Sequence, residues 1–207
     1  MKVKIDCRKP EVVMKPLFEN VLMVLATILV SASMVHANDE GSVLRAHLRG
    51  FQEVPVVSTV ASGEFRGVID PTNSSILFDL SYSGIQGKVT QAHIHVGQRS
   101  VNGGIVIWFC QTTTNPGPAG TPTCSEGSGH FTGTITSANV VAPTGANTSQ
   151  QIGNGDFDKV LEAIRAGKAY ANVHSDLSPG GEIRGQIKVV TRHDDKGHDD
   201  KRKDDKH

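Results

Sequence analysis

The chain has 207 residues, with 21 Lys and Arg against 21 Asp and Glu and so no formal net charge. A chain so balanced presents no broad basic face, which excludes a nucleic-acid binder working by backbone charge. Its length suits one domain of ordinary size once two atypical ends are set aside.

The first of those ends is residues 1–37. Lys2, Lys4, Arg8, Lys9 and Lys15 precede an apolar run over 21–30, which is short of the roughly 20 residues a membrane span requires. Val35-His36-Ala37 follows, so the segment reads as a secretory signal cleaved after Ala37, with an uncleaved membrane anchor as the alternative. Either reading takes the rest of the chain out of the cytoplasm. The second end, 191–207, holds six acidic and six basic residues, three His and no apolar side chain. It has nothing to bury against its ordering entropy and is expected to be a disordered tail. Between them, residues 38–190 carry ten Lys and Arg and twelve Asp and Glu.

In chain order, residues 42–50 alternate apolar and polar as a first strand, and 51–62, interrupted by Pro55, reads as a connecting edge. Residues 64–70 and 75–82 form a hairpin around Asp70-Pro71-Thr72-Asn73. Strands follow at 90–96 and 104–110, then a Pro/Gly/Thr-rich loop at 111–128, a strand at 129–137 and a polar loop at 138–155. Asp156 heads a short helix whose apolar residues Phe157, Val160, Leu161 and Ile164 recur at helical spacing before Gly167 stops it. Strands at 170–175 and 182–190 close the chain. Three segments, beginning at Gly63, Gly129 and Gly181, share a Gly-x-apolar-x-Gly-x-Ile pattern, which predicts a bulge or a close backbone approach at the second Gly. The class is all-β: an antiparallel sandwich or flattened barrel of about eight strands with one short helix.

Cys7 departs with the signal, leaving Cys110 and Cys124 to bracket the 111–128 loop. In an oxidising compartment they would bond to each other, closing a loop worth about 3 kcal/mol in the chain-entropy treatment; a metal-thiolate role is the alternative.

The chemistry concentrates in Gln91-Ala92-His93-Ile94-His95-Val96-Gly97 and in Tyr170-Ala171-Asn172-Val173-His174-Ser175. Successive strand residues face opposite ways, so His93 and His95 share a face about 7 Å apart, and His174 supplies a third imidazole from a distant strand. Three imidazoles facing one another can hold copper, or zinc as second choice, with a fourth position open. The competing reading is that these His hydrogen-bond across the sheet and rigidify it. His130 is a candidate fourth ligand, and His47 an ordinary strand residue. Arg184 either draws an anion towards the metal or makes a cross-strand ion pair with Glu182 or Glu64. The tail units His193-Asp194-Asp195-Lys196 and His198-Asp199-Asp200-Lys201 read as solvated polyampholyte or weak metal capture. Asn73-Ser74-Ser75 and Asn147-Thr148-Ser149 are formal glycosylation sequons.

These motifs, with Leu48-Arg49-Gly50-Phe51-Gln52-Glu53-Val54-Pro55 and Pro179-Gly180-Gly181-Glu182-Ile183-Arg184-Gly185-Gln186-Ile187, resemble the CHRD domain, the module first named in chordin and found in many secreted microbial proteins. The resemblance implies an immunoglobulin-like β-sandwich distantly similar to copper-zinc superoxide dismutases, with no settled activity. Residue by residue, it would make His93, His95 and His174 copper ligands and Arg184 the substrate-guiding cation, with Cys124 and His130 in a looser match. The domain's five His cannot supply a dismutase's zinc set as well, so any site is a single-metal one. The expected function is a secreted binding or structural module, with an unidentified extracellular partner and a His cluster that is either structural or holds one metal ion. The alternative is a copper-dependent redox enzyme.

Overall fold

The structure, a computed structural model, describes residues 42–190. The export segment at 1–37 and the charged tail at 191–207 lie outside the described residues. The strands are β1 (Val43–Arg49), β2 (Ser62–Ile69), β3 (Ile76–Ser83), β4 (Val89–Val96), β5 (Gly104–Cys110), β6 (Gly129–Ile135), β7 (Ala169–Ser175), β8 (Ile183–Gln186) and β9 (Lys188–Val190), with one α-helix, α1 (Phe157–Arg165). All pair antiparallel in the order β5-β4-β7-β8-β1-β2-β3-β6, and β9 also pairs with β1. The ring of Phe109 on β5 lies 5.7 Å from Phe65 on β2 and 4.9 Å from Phe78 on β3. Strands from opposite ends of the order can meet only if the sheet curls over on itself, which gives the expected flattened all-β body.

Alternation produces the core. Leu44, Ala46 and Leu48 of β1, Phe65 and Ile69 of β2, Ile76 and Leu80 of β3 and Ala92 and Ile94 of β4 point inward and are almost fully buried. Each Leu, Ile or Phe so placed contributes about 2 kcal/mol of transfer free energy. Helix α1 adds Phe157, Val160, Leu161 and Ile164 to the same core. It stops where Gly167 takes φ +66° and its N–H bonds the Ile164 carbonyl. Asp156 precedes the helix as expected, but its carboxylate accepts from the Gly153 N–H and from Lys159 instead of capping the first turn.

Two expectations resolve into more specific structure. The single strand over 182–190 is two: β8 pairs mainly with β7, and beyond Ile187 the chain switches to β1, where Lys188 faces Arg45. Of the bulge and the close approach predicted for the repeated glycines, only the second occurs. Pairing of β2 is continuous on both sides, whereas a Cβ on Gly185 would stand 2.6 Å from the His47 carbonyl oxygen. Neighbouring backbones pass too close there for any side chain.

The sulfurs of Cys110 and Cys124 are 2.08 Å apart, a bonded distance, and close a loop with a sequence separation of 14. Gln111 ties the same loop internally. Its side chain donates to the Thr121 carbonyl and accepts from the Gly117 N–H, and its backbone pairs with Pro122 and Cys124. Replacing Cys124 by Ser is expected to lower unfolding free energy by about 3 kcal/mol, read as a fall in the denaturant midpoint at unchanged slope.

Candidate metal centre

β7 is buried along its whole length, on both faces. Ala169, Ala171 and Val173 face the core, so Tyr170, Asn172 and His174 face away from it and yet are sealed from water. On β4 the same outer face carries His93 and His95, with Ala92 and Ile94 directed inward. The cover comes from the loops before β5, after β5 and between β7 and β8, which bond to this face at Gly103, fold over Trp108 at Gly117 and bond at Pro179. The pairing of β4 with β5 shifts register between Ala92 and His93 and again between Ile94 and His95. Such irregularities re-aim side chains, and here they flank the two imidazoles.

The structure brings His93, His95 and His174 together. One ligand nitrogen from each lies within 4.8 Å of the others, with ring centroids 5.4 Å (His93 to His95), 5.1 Å (His93 to His174) and 6.0 Å (His95 to His174) apart. Nitrogens bound to one ion at about 2.1 Å stand about 3.4 Å apart in tetrahedral geometry, so the set is open by at most about 1.4 Å. His95 Nδ1 lies 2.9 Å from the Gly103 carbonyl and His174 Nδ1 2.8 Å from that of Pro179. A carbonyl only accepts, so both Nδ1 atoms carry the proton and both Nε2 atoms present bare lone pairs. Those two Nε2 atoms and both ring nitrogens of His93 are buried with no hydrogen-bond partner. By ordinary hydrogen-bond geometry these four nitrogens make no bond across the sheet, although the Asn172 side chain on β7 lies close enough to His95 to favour its charged form. The rings of His95 and His174 bond outward to loop carbonyls, and each ring of the trio keeps one nitrogen within 4.8 Å of the other two. Burial holds all three imidazoles below their ordinary pKa. His93 sits well below it, with repulsion from His174 and His95 adding to burial. His95 falls to about 3, burial outweighing the Gly103 carbonyl that favours the charged ring. His174 is lowered by burial against the Pro179 carbonyl.

A second layer fixes the first. Tyr170 stacks on His95 with ring centroids 4.8 Å apart and planes 1° from parallel, and its hydroxyl accepts from the Gly103 N–H at 3.1 Å. Gly103 thus holds His95 with its carbonyl and Tyr170 with its N–H. The Arg184 guanidinium carbon lies 3.4 Å above the other face of Tyr170, and its nitrogens donate to the Gln98 carbonyl at 3.0 Å and towards Asn102 Oδ1 at 3.4 Å. Trp108 stands edge-on to His93 at 4.2 Å. Glu53 is buried beside Gly181, its Oε1 lacks a hydrogen-bond partner, and burial raises its carboxyl to about 7 against the attraction of Arg184.

Not every expected residue arrives. His130 is exposed on β6, where Nε2 pairs with Asp79 at 2.9 Å; β6 lies at the opposite end of the strand order from β5, and His130 does not join the trio. Arg184 makes neither expected ion pair, because Glu64 takes Arg66 and Glu182 accepts from Thr59, Ser175 and the Gln86 N–H. Glu53, Trp108, Tyr170 and Asn172 went unassigned from sequence. Strict alternation along β7 was signal enough for Tyr170 and Asn172, which share His174's parity. Nothing local marks Glu53, which reaches the site only through the tertiary path of the loop after β1.

The architecture is that of a small antiparallel all-β module with a buried three-imidazole cluster beneath loops on the outer face of its sheet. A family model described as the CHRD domain matches residues 44–187, and the chain belongs to that family. No curated protein and no solved structure matches it.

The pKa directions give a pH test on metal-free protein. Below about pH 6.5 the unfolded chain protonates its histidines while the folded trio resists, so the unfolded state binds more protons and stability falls with falling pH. Each imidazole adds at most about 1.4 kcal/mol per pH unit to that slope. Glu53 acts oppositely, its contribution being lost as pH rises from its unfolded value of 4.5 through about 7. Chemical unfolding at pH 7 and pH 5 is expected to show a smaller acid loss in His93→Ala/His95→Ala than in wild type, since only the imidazole part is removed.

Proposed function

We propose that the chain is a secreted CHRD module, with residues 1–37 removed as a signal, 38–190 as the working domain and 191–207 as a solvated tail. We further propose that it holds one metal ion on His93, His95 and His174, copper first and zinc second. One observation carries this reading: four imidazole nitrogens, at least two of them bare lone pairs, are buried together with no partner. Leaving a buried polar atom unsatisfied costs about 1–3 kcal/mol. A cation at the centre of the trio would convert that cost into ligand bonds for one nitrogen of each ring, three of the four, and among the described residues no hydrogen bond of ordinary geometry does so. The outward Nδ1 bonds supply the second feature expected of metal-binding His, a carbonyl partner that fixes the tautomer. When bound, copper would supply a redox-active or Lewis-acidic centre; the trio would orient it, and Trp108 and Tyr170 would exclude water around it. Export agrees with a family whose domains are extracellular and with a cysteine pair at bonded distance.

The redox-enzyme alternative is less well supported. It asks Arg184 to draw an anion from solvent, but this side chain is 2 % exposed and committed to Tyr170, Gln98 and Asn102.

Two measurements test the reading. Trp108 is the only Trp of the chain and touches His93, so cupric ion is expected to quench intrinsic fluorescence with one-to-one stoichiometry in wild type and not in His93→Ala/His95→Ala. Wild-type protein that takes up no metal after loading, by elemental analysis, removes the proposal. For export, N-terminal sequencing of the secreted protein is expected to begin at Asn38, and an intact Met1 would overturn the cleavage.

A further inference from the structure

We infer that the ion this site is built for is monovalent copper, and that divalent ions are selected against; this rests on the metal-binding reading above and specifies its cofactor. Four observations point the same way. The donor set is neutral: the only grouping of His, Cys, Asp and Glu side chains able to hold an ion among the described residues is the three imidazoles, without a carboxylate, and Cys110 and Cys124 are bonded to each other. The Born cost of taking an ion out of water grows as the square of its charge, so a dication costs about four times as much as a monocation. Neutral ligands answer that cost only with dipoles.

The set is also sealed. His93 is 0 % exposed and its two nitrogens, with Nε2 of His95 and of His174, are closed to solvent. Zinc completes a tetrahedron with a fourth ligand, and cupric ion favours four tetragonal donors, whereas cuprous ion is satisfied by three imidazoles.

Third, a permanent cation stands close by. The Arg184 guanidinium lies 3.4 Å from the centre of Tyr170, whose ring lies 4.8 Å from that of His95, so one stacked ring separates its charge from a ligand, and it acts through a buried medium. The carboxyl it faces, Glu53, offsets part of that charge. Repulsion from a fixed positive charge doubles for a doubly charged guest.

Fourth, the approach is neutral. A cleft of about 400 Å³ opens beside His95 and Trp108, lined also by Pro116, Pro118, Val141 and Thr144, and no Lys, Arg, Asp or Glu lines it. Such a path lacks the acidic lining that gathers hydrated dications.

The test is a set of affinities measured on chelator-stripped protein. Cuprous ion is titrated anaerobically against bicinchoninate absorbance, and cupric and zinc ions are titrated by Trp108 fluorescence and calorimetry at pH 8. Cuprous ion is expected to bind at least 100-fold more tightly than either dication. Arg184→Gln is expected to narrow that ratio by on the order of tenfold, and Glu53→Gln to widen it. Opposite shifts in two variants are not produced by a loss of packing, and Glu53→Gln keeps the test open should Arg184→Gln fail to fold. Zinc or cupric ion binding as tightly as cuprous ion, or a ratio unmoved in folded variants, overturns the inference while leaving the metal site intact. Failure of all three ions to bind removes the metal site itself.

Discussion

Ring nitrogens of His93, His95 and His174 lie within 4.8 Å of one another in a space closed to water, and most of what is unusual in this domain follows from keeping them there. An antiparallel sheet ordinarily buries one face and wets the other. Here the strands β4 and β7 bury both, one apolar and one bearing imidazole, phenol and carboxamide groups. Polar groups on a second buried face stabilise nothing unless they find partners, so that face had to be roofed with segments able to supply carbonyls and N–H groups.

The loops meet that requirement for the Nδ1 atoms of His95 and His174 and for the Tyr170 hydroxyl, with little redundancy, and leave the remaining ring nitrogens without it. Gly103 serves His95 and Tyr170 at once, and a Cβ there would fall 1.7 Å from the Val96 carbonyl oxygen, so no other residue could lie as close to β4. The turn after β7 gives His174 its Pro179 carbonyl, and Glu182 beyond it gathers Thr59, Ser175 and Gln86 into one network that fixes the turn to two other loops. Across Trp108 the disulfide-closed loop lies flat, with Gly117 where any Cβ would stand 2.6 Å from the indole. Rigidity of the roof is thus what sets the tautomers and orientation of His95 and His174 below it, while Trp108 packs edge-on against His93.

What could be read from the sequence divides along the same physical line. Strand and helix positions were legible because burial on the core face imposes a period of two on β1 to β4 and near 3.6 on α1. The convergence of His93, His95 and His174 was legible from shared parity and a shared motif. Beyond that, local pattern fails. The division at Ile187 follows from a change of hydrogen-bond partner, which leaves no trace in residue type. Arg184 looks like an ordinary strand cation, and only the tertiary path that lays Tyr170 between it and His95 removes it from the ion pairs expected with Glu182 or Glu64. His130 sits in a strand of correct parity and correct composition, but at the far end of the sheet order, and parity carries no information about which strands become neighbours.

Burial of the trio also bears on what kind of work the site can do. A centre that turns over a substrate needs a coordination position that solvent and substrate reach, and a charged guide needs contact with the bulk. The ring nitrogens are closed, and the guanidinium that would guide is pinned under the loops against a phenol. An ion held this way would leave past tightly held loops, so its release rate would be tied to the local opening of those loops and not to ligand strength alone. That coupling would suit a module that retains the proposed ion, which would bind the folded state and add to its stability. Catalysis at this site would first require the loop carrying Gly103 or the one carrying Gly117 to leave the sheet. Each is held by side-chain and backbone hydrogen bonds, and the second by a disulfide as well.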